Sequence, residues 1–561
     1  MHNLTDQIIV RFSDPYADGE LKANGLSAQI GKHLEFVRET ALGSKIYKLP
    51  SKESLPQVKG YVRALMATSG VEYAEADQMM FAIATLQDPP SEGVLISDGS
   101  PVYNLQWHYF ESTGGMDAPG AWAQLDSADN PVRVAVLDTG YTNHPDLDAN
   151  IDASSGRDMV HDTYISNDGD GRDNDARDPG DWSSRNYCYL GSPSYDSSWH
   201  GTHVAGTISA VTNNSSGVAG IGYNLIKVIP VRVLGQCGGY SSDIADGIRW
   251  AAGLEVDGET LANPAQVINM SLGGSGACAA DSEYQLAINA AVAQGTTVVV
   301  AAGNSNTDAA NFTPASCANV VSVAATGRTG ARAYYSNYGS VVDLAAPGGD
   351  MSSGSSDGVL STMNSGVTDP SDPSYAYYQG TSMATPHTAA VAALLYNVNS
   401  TIVPAEVEAV LKDSARRFAG TCNGCGAGIL SAGSALNLAS GGSIQPVPTV
   451  PDAPSDIVVL PGDGSAVISW RDNSDNETAF VIERSKENKR NRWSGFTEIG
   501  TTAANFYDDS GLDGTYIYRV RARNEAGDST YAESELVTVT GSSSGSGDGS
   551  GSCKGNGPKC R

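Results

Sequence analysis

Four short strings in this 561-residue chain hold the side chains that amide hydrolysis needs. Cleaving a peptide bond at neutral pH takes an activated nucleophile, a base for its proton, an anion to orient that base, and donors for the oxyanion. Asp138 ends the run VAVLD, His200 opens HGTHVAGT, Asn304 closes VVVAAGN, and Ser382 lies in GTSMATPH just ahead of the small-residue helix AAVAALL. A serine at a helix N-terminus has backbone N–H groups and a favourable dipole beside it. Any one of these residues alone reads as a cap or a core polar group; together they supply every part of one reaction. His203, three positions after His200, points along another helix face and reads as structural, as do His144 and His387.

The elements that must position these residues form the largest of several domains. Between residues 104 and 440, β-branched runs (Val132 to Leu137, Val228 to Leu234, Val267 to Ser271, Thr296 to Ala301, Val320 to Ala324) alternate with helical segments. That alternation predicts a parallel α/β sheet with helices on both faces, a three-layer domain. Asp138 then falls at the carboxyl end of a buried strand, where open α/β sheets place their sites. Residues 1–83 read as a small α+β unit, with strands at Gln7 to Phe12, Lys45 to Leu49 and Val71 to Ala76 and a helix at Leu55 to Ala67. A Pro-, Gly- and Ser-bearing linker spans 84–103, and a Pro-rich spacer spans 441–453. Residues 454–541 carry short strand runs (Ala466 to Trp470, Phe480 to Ser485, Tyr516 to Arg523, Glu535 to Thr540) and predict an all-β sandwich; a flexible Gly/Ser tail with a small Cys loop closes the chain at 542–561.

Composition narrows the partners. Lys+Arg 34 against Asp+Glu 63 gives a net charge of −29, which repels nucleic acid and anionic membranes. No apolar run is long enough to span a bilayer. Eight cysteines in Gly- and Ser-rich loops suggest disulfides and an oxidising compartment, with pairing expected in chain order: Cys188 with Cys237, Cys278 with Cys317, Cys422 with Cys425 and Cys553 with Cys560. The opening MHNLTDQIIVRF lacks an apolar signal region, so the reading of a secreted protein implies a signal peptide absent from this chain.

The order Asp, His, Asn, Ser in DTG, HGTHVAGT, AAGN and GTSMATPH closely resembles the subtilases, over roughly residues 104 to 440 and including the closing CGAGILSAGSAL. The resemblance implies a secreted serine endopeptidase on a subtilisin-like fold, acting on protein or peptide substrates as a monomer. It makes Ser382 the nucleophile, His200 the general base and acid, Asp138 its orienting anion, and the Asn304 amide with the Ser382 N–H the oxyanion hole. Ser271, Leu272 and Gly273, with Ala301, Ala302 and Gly303, look like the two backbone edges that hold an extended substrate. HPDL and the string Thr212 to Val218 resemble the halves of a calcium site, with side chains of Asp146 and Asn214 and carbonyls of Thr212, Ser216 and Val218 as ligands. The leading unit, with IIVRF, KIYKL and VEYAEAD, resembles the subtilase propeptide, ferredoxin-like in fold, which acts as chaperone and inhibitor. Its segment Gln78 to Phe81 would lie in the cleft as a product-like strand, with maturation cleavage between Phe81 and Val102. Residues 454 to 541 resemble a fibronectin type III domain, with Trp470 in its core and Tyr516 as its tyrosine corner.

The interval between Asp138 and His200 carries a further acidic stretch, in which Asp168, Asp170, Asp173, Asp175, Asp178 and Asp181 crowd together. A loop so charged repels itself unless a cation binds, so a second Ca²⁺ there is one reading and a solvated acidic loop the other. The basic set Arg484, Lys486, Lys489, Arg490 and Arg492 reads as a solvated loop or an attraction to an acidic matrix.

Overall fold

The computed structural model describes residues 4–82, 105–125, 131–442, 450–474, 476–488, 492–524 and 527–541. The expected linker at 84–103, the bonds after Ala82 where processing is expected, Lys489 and Arg490, and the Cys553–Cys560 loop lie outside the described residues. The chain divides into two compact units, Met1–Ile444 and Gln445–Arg561, so the leading α+β segment and the α/β domain share one unit.

The α/β domain is built on a seven-stranded parallel sheet. Its strands lie in the order Leu344–Pro347, Val321–Thr326, Thr297–Ala301, Val267–Met270, Val132–Asp138, Ile226–Arg232, Arg157–Asp158. The inner strands are nearly continuous runs of Val, Ile and Ala because both faces are covered by helices. One face packs on His200–Ser209 and Thr381–Val398, the other on Ser241–Ala251 and Glu283–Ala293. Thr381–Val398 is buried almost throughout, which its Ala-rich sequence permits by allowing close approach to the sheet. Among the described residues no helix is long and apolar enough to cross a membrane.

In the leading segment a four-stranded antiparallel sheet, ordered Glu35–Glu39, Lys45–Ser54, Leu4–Phe12, Val71–Ala76, is covered by helices Gly19–Ile30 and Leu55–Met66. Pro56 sits in the first turn of the second helix, where its missing N–H costs nothing. The unit from Gln445 is all β: a three-stranded sheet (Ser455–Pro461, Ser465–Arg471, Phe506–Ser510) and a second sheet centred on Ala479–Asn488 and Gly514–Asn524. Trp470 and Tyr516 share its core, Trp470 against Phe480 at 5.2 Å. The Tyr516 hydroxyl donates to Asp513 O and accepts from Asp513 N, tying down the turn before its strand. Arg484, partly exposed, pairs with both oxygens of Asp509 and lies over the Tyr516 ring, which the exposed Lys486 also approaches.

Among the described residues three disulfides, Cys188–Cys237, Cys278–Cys317 and Cys422–Cys425, follow chain order.

Candidate active site

Three chain segments bring the predicted residues to one end of the sheet. Asp138 is the last residue of its strand, His200 the first of its helix, and Ser382 the second of the long helix; all three are fully buried. Asp138 Oδ1 accepts from His200 Nδ1 at 2.7 Å and from Thr139 N at 2.8 Å. An ionised carboxylate only accepts, so this contact keeps a proton on Nδ1 and leaves Nε2 able to accept one. Ser382 Oγ donates to Ser271 O at 2.9 Å. Asn304 Oδ1 accepts from Thr381 N and Thr381 Oγ1, both at 2.9 Å, so the residue before Ser382 sets the orientation of the Asn304 amide.

Ser271 to Gly273 forms an edge that is occupied. Leu272 and Gly273 pair antiparallel with Ala82 and Phe81, and the same strand, Met79–Ala82, pairs on its other side with Gly239–Tyr240. This second edge was not legible in the sequence, where GQCGGY reads as a loop. Ala301 to Gly303 makes other bonds. Ala302 N donates to Val323 O, Ala302 O accepts from Asn337, and Gly303 N donates to Thr381 Oγ1. Gly303 has φ 106°, and a Cβ there would meet Asn337 Nδ2 at 2.3 Å, so only glycine fits.

The leading segment docks on the starts of two helices. Asp77 accepts from Ser241 Oγ, Ser242 N and Ser242 Oγ, and Glu75 accepts from Glu283 N. These carboxylates cap helix N-termini in trans. Two arginines meet acidic residues of the same helices: Arg38 reaches Asp243 of the first turn and Asp246 of the next, each at 2.8 Å, and Arg11 reaches Glu283 at 2.9 Å. The guanidiniums of Arg172 and Arg38 and the His161 ring hold Asp243 below the usual carboxylate range despite its burial. None of these contacts made by the leading segment carries a sequence signal, because they join residues 164 to 272 positions apart.

Asp146 and the loop 212–218 also come together. Asp146 accepts from Asn214 Nδ2 at 2.6 Å, Val218 N at 2.8 Å and Tyr375 OH at 3.3 Å, all neutral donors, and burial raises its pKa to about 6. A Cβ on Gly217 would lie 2.1 Å from Asp146 Oδ2, so glycine lets the loop close on the carboxylate. Thr212 O accepts from Asn224 Nδ2, while Asn214 Oδ1 accepts from Ser216 N. Asp146 here meets hydrogen-bond donors only, so its carboxylate could join a hard cation such as Ca²⁺ only with the Asn214 amide turned to present its oxygen.

Two carboxylates of the acidic insert are paired with arginine, while Asp168, Asp170 and Asp175 remain exposed. Arg232 pairs with Asp158 and Asp168, Arg177 with Asp175, and Arg172 with Asp243, Asp246 and Asp257. Guanidiniums therefore face Asp168 and Asp175 of the insert, whereas Arg172, which interrupts the acidic spacing, turns to three aspartates outside it. Among the described residues no three His, Cys, Asp or Glu are arranged to hold a metal. Asp178 and Asp181 turn inward, where burial pushes both carboxyls up; Asp181 accepts from Ser198 N and Oγ, two residues before His200.

This geometry agrees with what the chain is similar to. The model of the subtilase family matches residues 129–428. The chain belongs to the subtilase family. It is a subtilisin-like serine protease. Its curated relatives include an extracellular protease of Xanthomonas campestris pv. campestris, 46% identical over 425 residues, which are 75% of this chain and 69% of that protein. An extracellular basic protease of Dichelobacter nodosus is 39% identical over 465 residues, 79% of this chain and 72% of that protein. Among solved structures, a protease from Pseudoalteromonas arctica PAMC 21717 is 55% identical with a TM-score of 0.59, covering 61% of this chain and 100% of that one. Fervidolysin from Fervidobacterium pennivorans, a keratinolytic enzyme related to subtilisin, shares the fold at 19% identity with a TM-score of 0.54, covering 93% of this chain and 87% of that one.

Proposed function

We propose that this subtilase is an extracellular endopeptidase made as a self-processing zymogen, with Asp138, His200 and Ser382 as its triad. The observation that carries the reading is the 2.7 Å contact of His200 with Asp138 at the sheet end where Ser382 heads a helix. In catalysis the Ser382 hydroxyl leaves Ser271 O and gives its proton to His200 Nε2 as Oγ attacks the scissile carbonyl. Asp138 holds the tautomer and stabilises the imidazolium. The Asn304 carbonyl oxygen takes the Thr381 donors, so its Nδ2 is the end that serves the oxyanion, with the Ser382 N–H.

In this reading residues 1–83 are the propeptide, and Met79–Ala82 lies on the substrate edge as the product of its own cleavage would. The edges that grip a substrate strand are Ser271 to Gly273 and Gly239–Tyr240, with Ala301 to Gly303 walling the pocket beyond. Ca²⁺ held by Asp146, Asn214 and the carbonyls of Thr212, Ser216 and Val218 would fasten the loop that follows the His200 helix. The all-β unit is a fibronectin type III-like module, and the protein works as a monomer. The names of the Xanthomonas and Dichelobacter relatives support the extracellular location, as do the disulfides.

The test is to express the chain beside Ser382→Ala and follow mass and casein hydrolysis. Wild type should lose the leading unit and digest casein, and Ser382→Ala should do neither. A Ser382→Ala chain that still matures by itself places the nucleophile elsewhere.

A further inference from the structure

Ser382 is followed at the fourth position by Pro386, inside the helix Thr381–Val398. In a regular helix the N–H of residue 386 would donate to the carbonyl of residue 382; proline has no N–H, and its ring crowds that carbonyl. The nucleophile's own backbone oxygen is thus the one deprived of its helical partner, at a fully buried position where an unmet carbonyl is costly. The structure meets it from another element. Ser271 Oγ donates to Ser382 O at 2.8 Å, while Ser382 Oγ donates back to Ser271 O at 2.9 Å.

The direction of the first bond is set one residue pair further back. Asn269 Nδ2 donates to Ser271 Oγ at 3.1 Å, filling a lone pair and sending the hydroxyl proton toward Ser382 O. Asn269 is fully buried in the strand Val267–Met270, level with Val136 and Val299 of the flanking strands. An apolar residue is the default there, and the Asn269 Oδ1 accepts no hydrogen bond among the described residues. A half-satisfied buried amide in a central strand is expensive and calls for a compensating role.

We infer that Asn269 and the Ser271 side chain are positioning residues for the nucleophile: Asn269 orients the Ser271 hydroxyl, which latches the Ser382 carbonyl that Pro386 releases. The inference rests on Ser382 being the nucleophile. The helix head is fixed to the end of the central strand by a bond the helix itself cannot make, and Ser271, which also offers its backbone to the substrate edge, registers nucleophile and substrate on one residue. The neighbouring carbonyls fit the pattern: Thr381 O accepts from Thr385 Oγ1 and Met383 O from His387 Nδ1. Those two keep backbone donors at positions 385 and 387; the carbonyl of Ser382 does not.

The test uses the full chain after maturation. Active sites are counted by titration with a serine-directed sulfonyl fluoride, so that kcat refers to folded enzyme. Ser271→Ala is expected to lower kcat about tenfold or more, with KM within about twofold of wild type. Asn269→Leu should cause a loss of the same kind, and the double variant should be no worse than Ser271→Ala, because Asn269 acts through that hydroxyl. Adding Pro386→Ala to Ser271→Ala restores the helical donor and should return part of the lost kcat. A Ser271→Ala enzyme with wild-type kcat and only a lower melting temperature would overturn the inference, as would losses at Asn269 and Ser271 that multiply. Should Asn269→Leu fail to fold, Ser271→Ala with and without Pro386→Ala decides the matter alone: rescue supports the latch, and a further loss sinks it. Residual hydrolysis by Ser382→Ala would instead remove the reading of the nucleophile, and the latch with it.

Discussion

If the leading unit inhibits the enzyme, Arg38 should dominate its grip. The guanidinium makes two 2.8 Å bonds to Asp243 and Asp246, whose side chains are 1% exposed, and a third at 3.1 Å to Ser242 Oγ. Removing one partner of a desolvated charge pair costs about 2–5 kcal/mol, mostly because the other charge stays buried. Here Arg172 and His161 remain beside the two carboxylates, so the lower part of that range applies. Arg38→Ala should therefore weaken docking by about 2–3 kcal/mol, roughly 30- to 150-fold in the dissociation constant. The assay is to dilute the processed complex and follow the return of peptide hydrolysis, which reports the constant directly. Lys32→Ala is the control: Lys32 is 44% exposed and pairs with Glu53 within the leading unit, so its loss should leave docking unchanged. If Arg38→Ala docks within about threefold of wild type, or Lys32→Ala weakens docking equally, the argument from buried charge is wrong.

Asp138→Asn should lower kcat by about four orders of magnitude at pH 7 without loss of folding, because an amide no longer holds the His200 tautomer; burst titration and circular dichroism separate the two effects. Acid should unfold the catalytic domain early. Burial lowers the pKa of His203 to about 3 and of His387 to about 4, and burial with the neighbouring imidazoles lowers His108. The folded state then refuses protons that the unfolded chain accepts, so stability is full above about pH 6.5 and falls as pH drops toward 4, by up to about 1.4 kcal/mol per pH unit for each histidine. Buried carboxyls such as Asp158 and Asp178, raised by desolvation, release protons on unfolding and mask the histidines in a net proton count. The check is therefore ring NMR of the folded protein: His203 and His387 should still be neutral at about pH 5, and protonation of both near pH 6.5 would refute it. Chelation should lower the melting temperature of wild type, while Asp146→Ala should melt lower from the start and ignore the chelator; equal chelator sensitivity in both would place the cation elsewhere.

The sequence by itself determined the fold class of the central domain and marked the residues that meet at one end of its sheet. Strand ends and helix starts are local properties: a Val-rich run that stops at Asp138, and glycines and small residues that let the His200 and Ser382 helices begin against a sheet. The four motifs therefore carried their own positions, and neighbouring cysteines in the chain were near enough to pair. That Asp146 and the loop 212–218 belong together was legible only through their resemblance to the halves of a calcium site; the close approach at Gly217 is a tertiary finding. What only the tertiary structure decided were partnerships across long separations. Nothing local pairs Arg38 with Asp243, or Arg232 with Asp158 and Asp168, so Asp168 read as part of a loop in want of a cation when the guanidinium that faces it lies on the strand Ile226–Arg232. Pro386 was visible in GTSMATPH, but the donor that replaces its missing N–H sits 111 residues upstream on a different strand. Backbone geometry is written in short range, whereas the neutralisation of a buried charge or carbonyl depends on whichever element the fold packs against it.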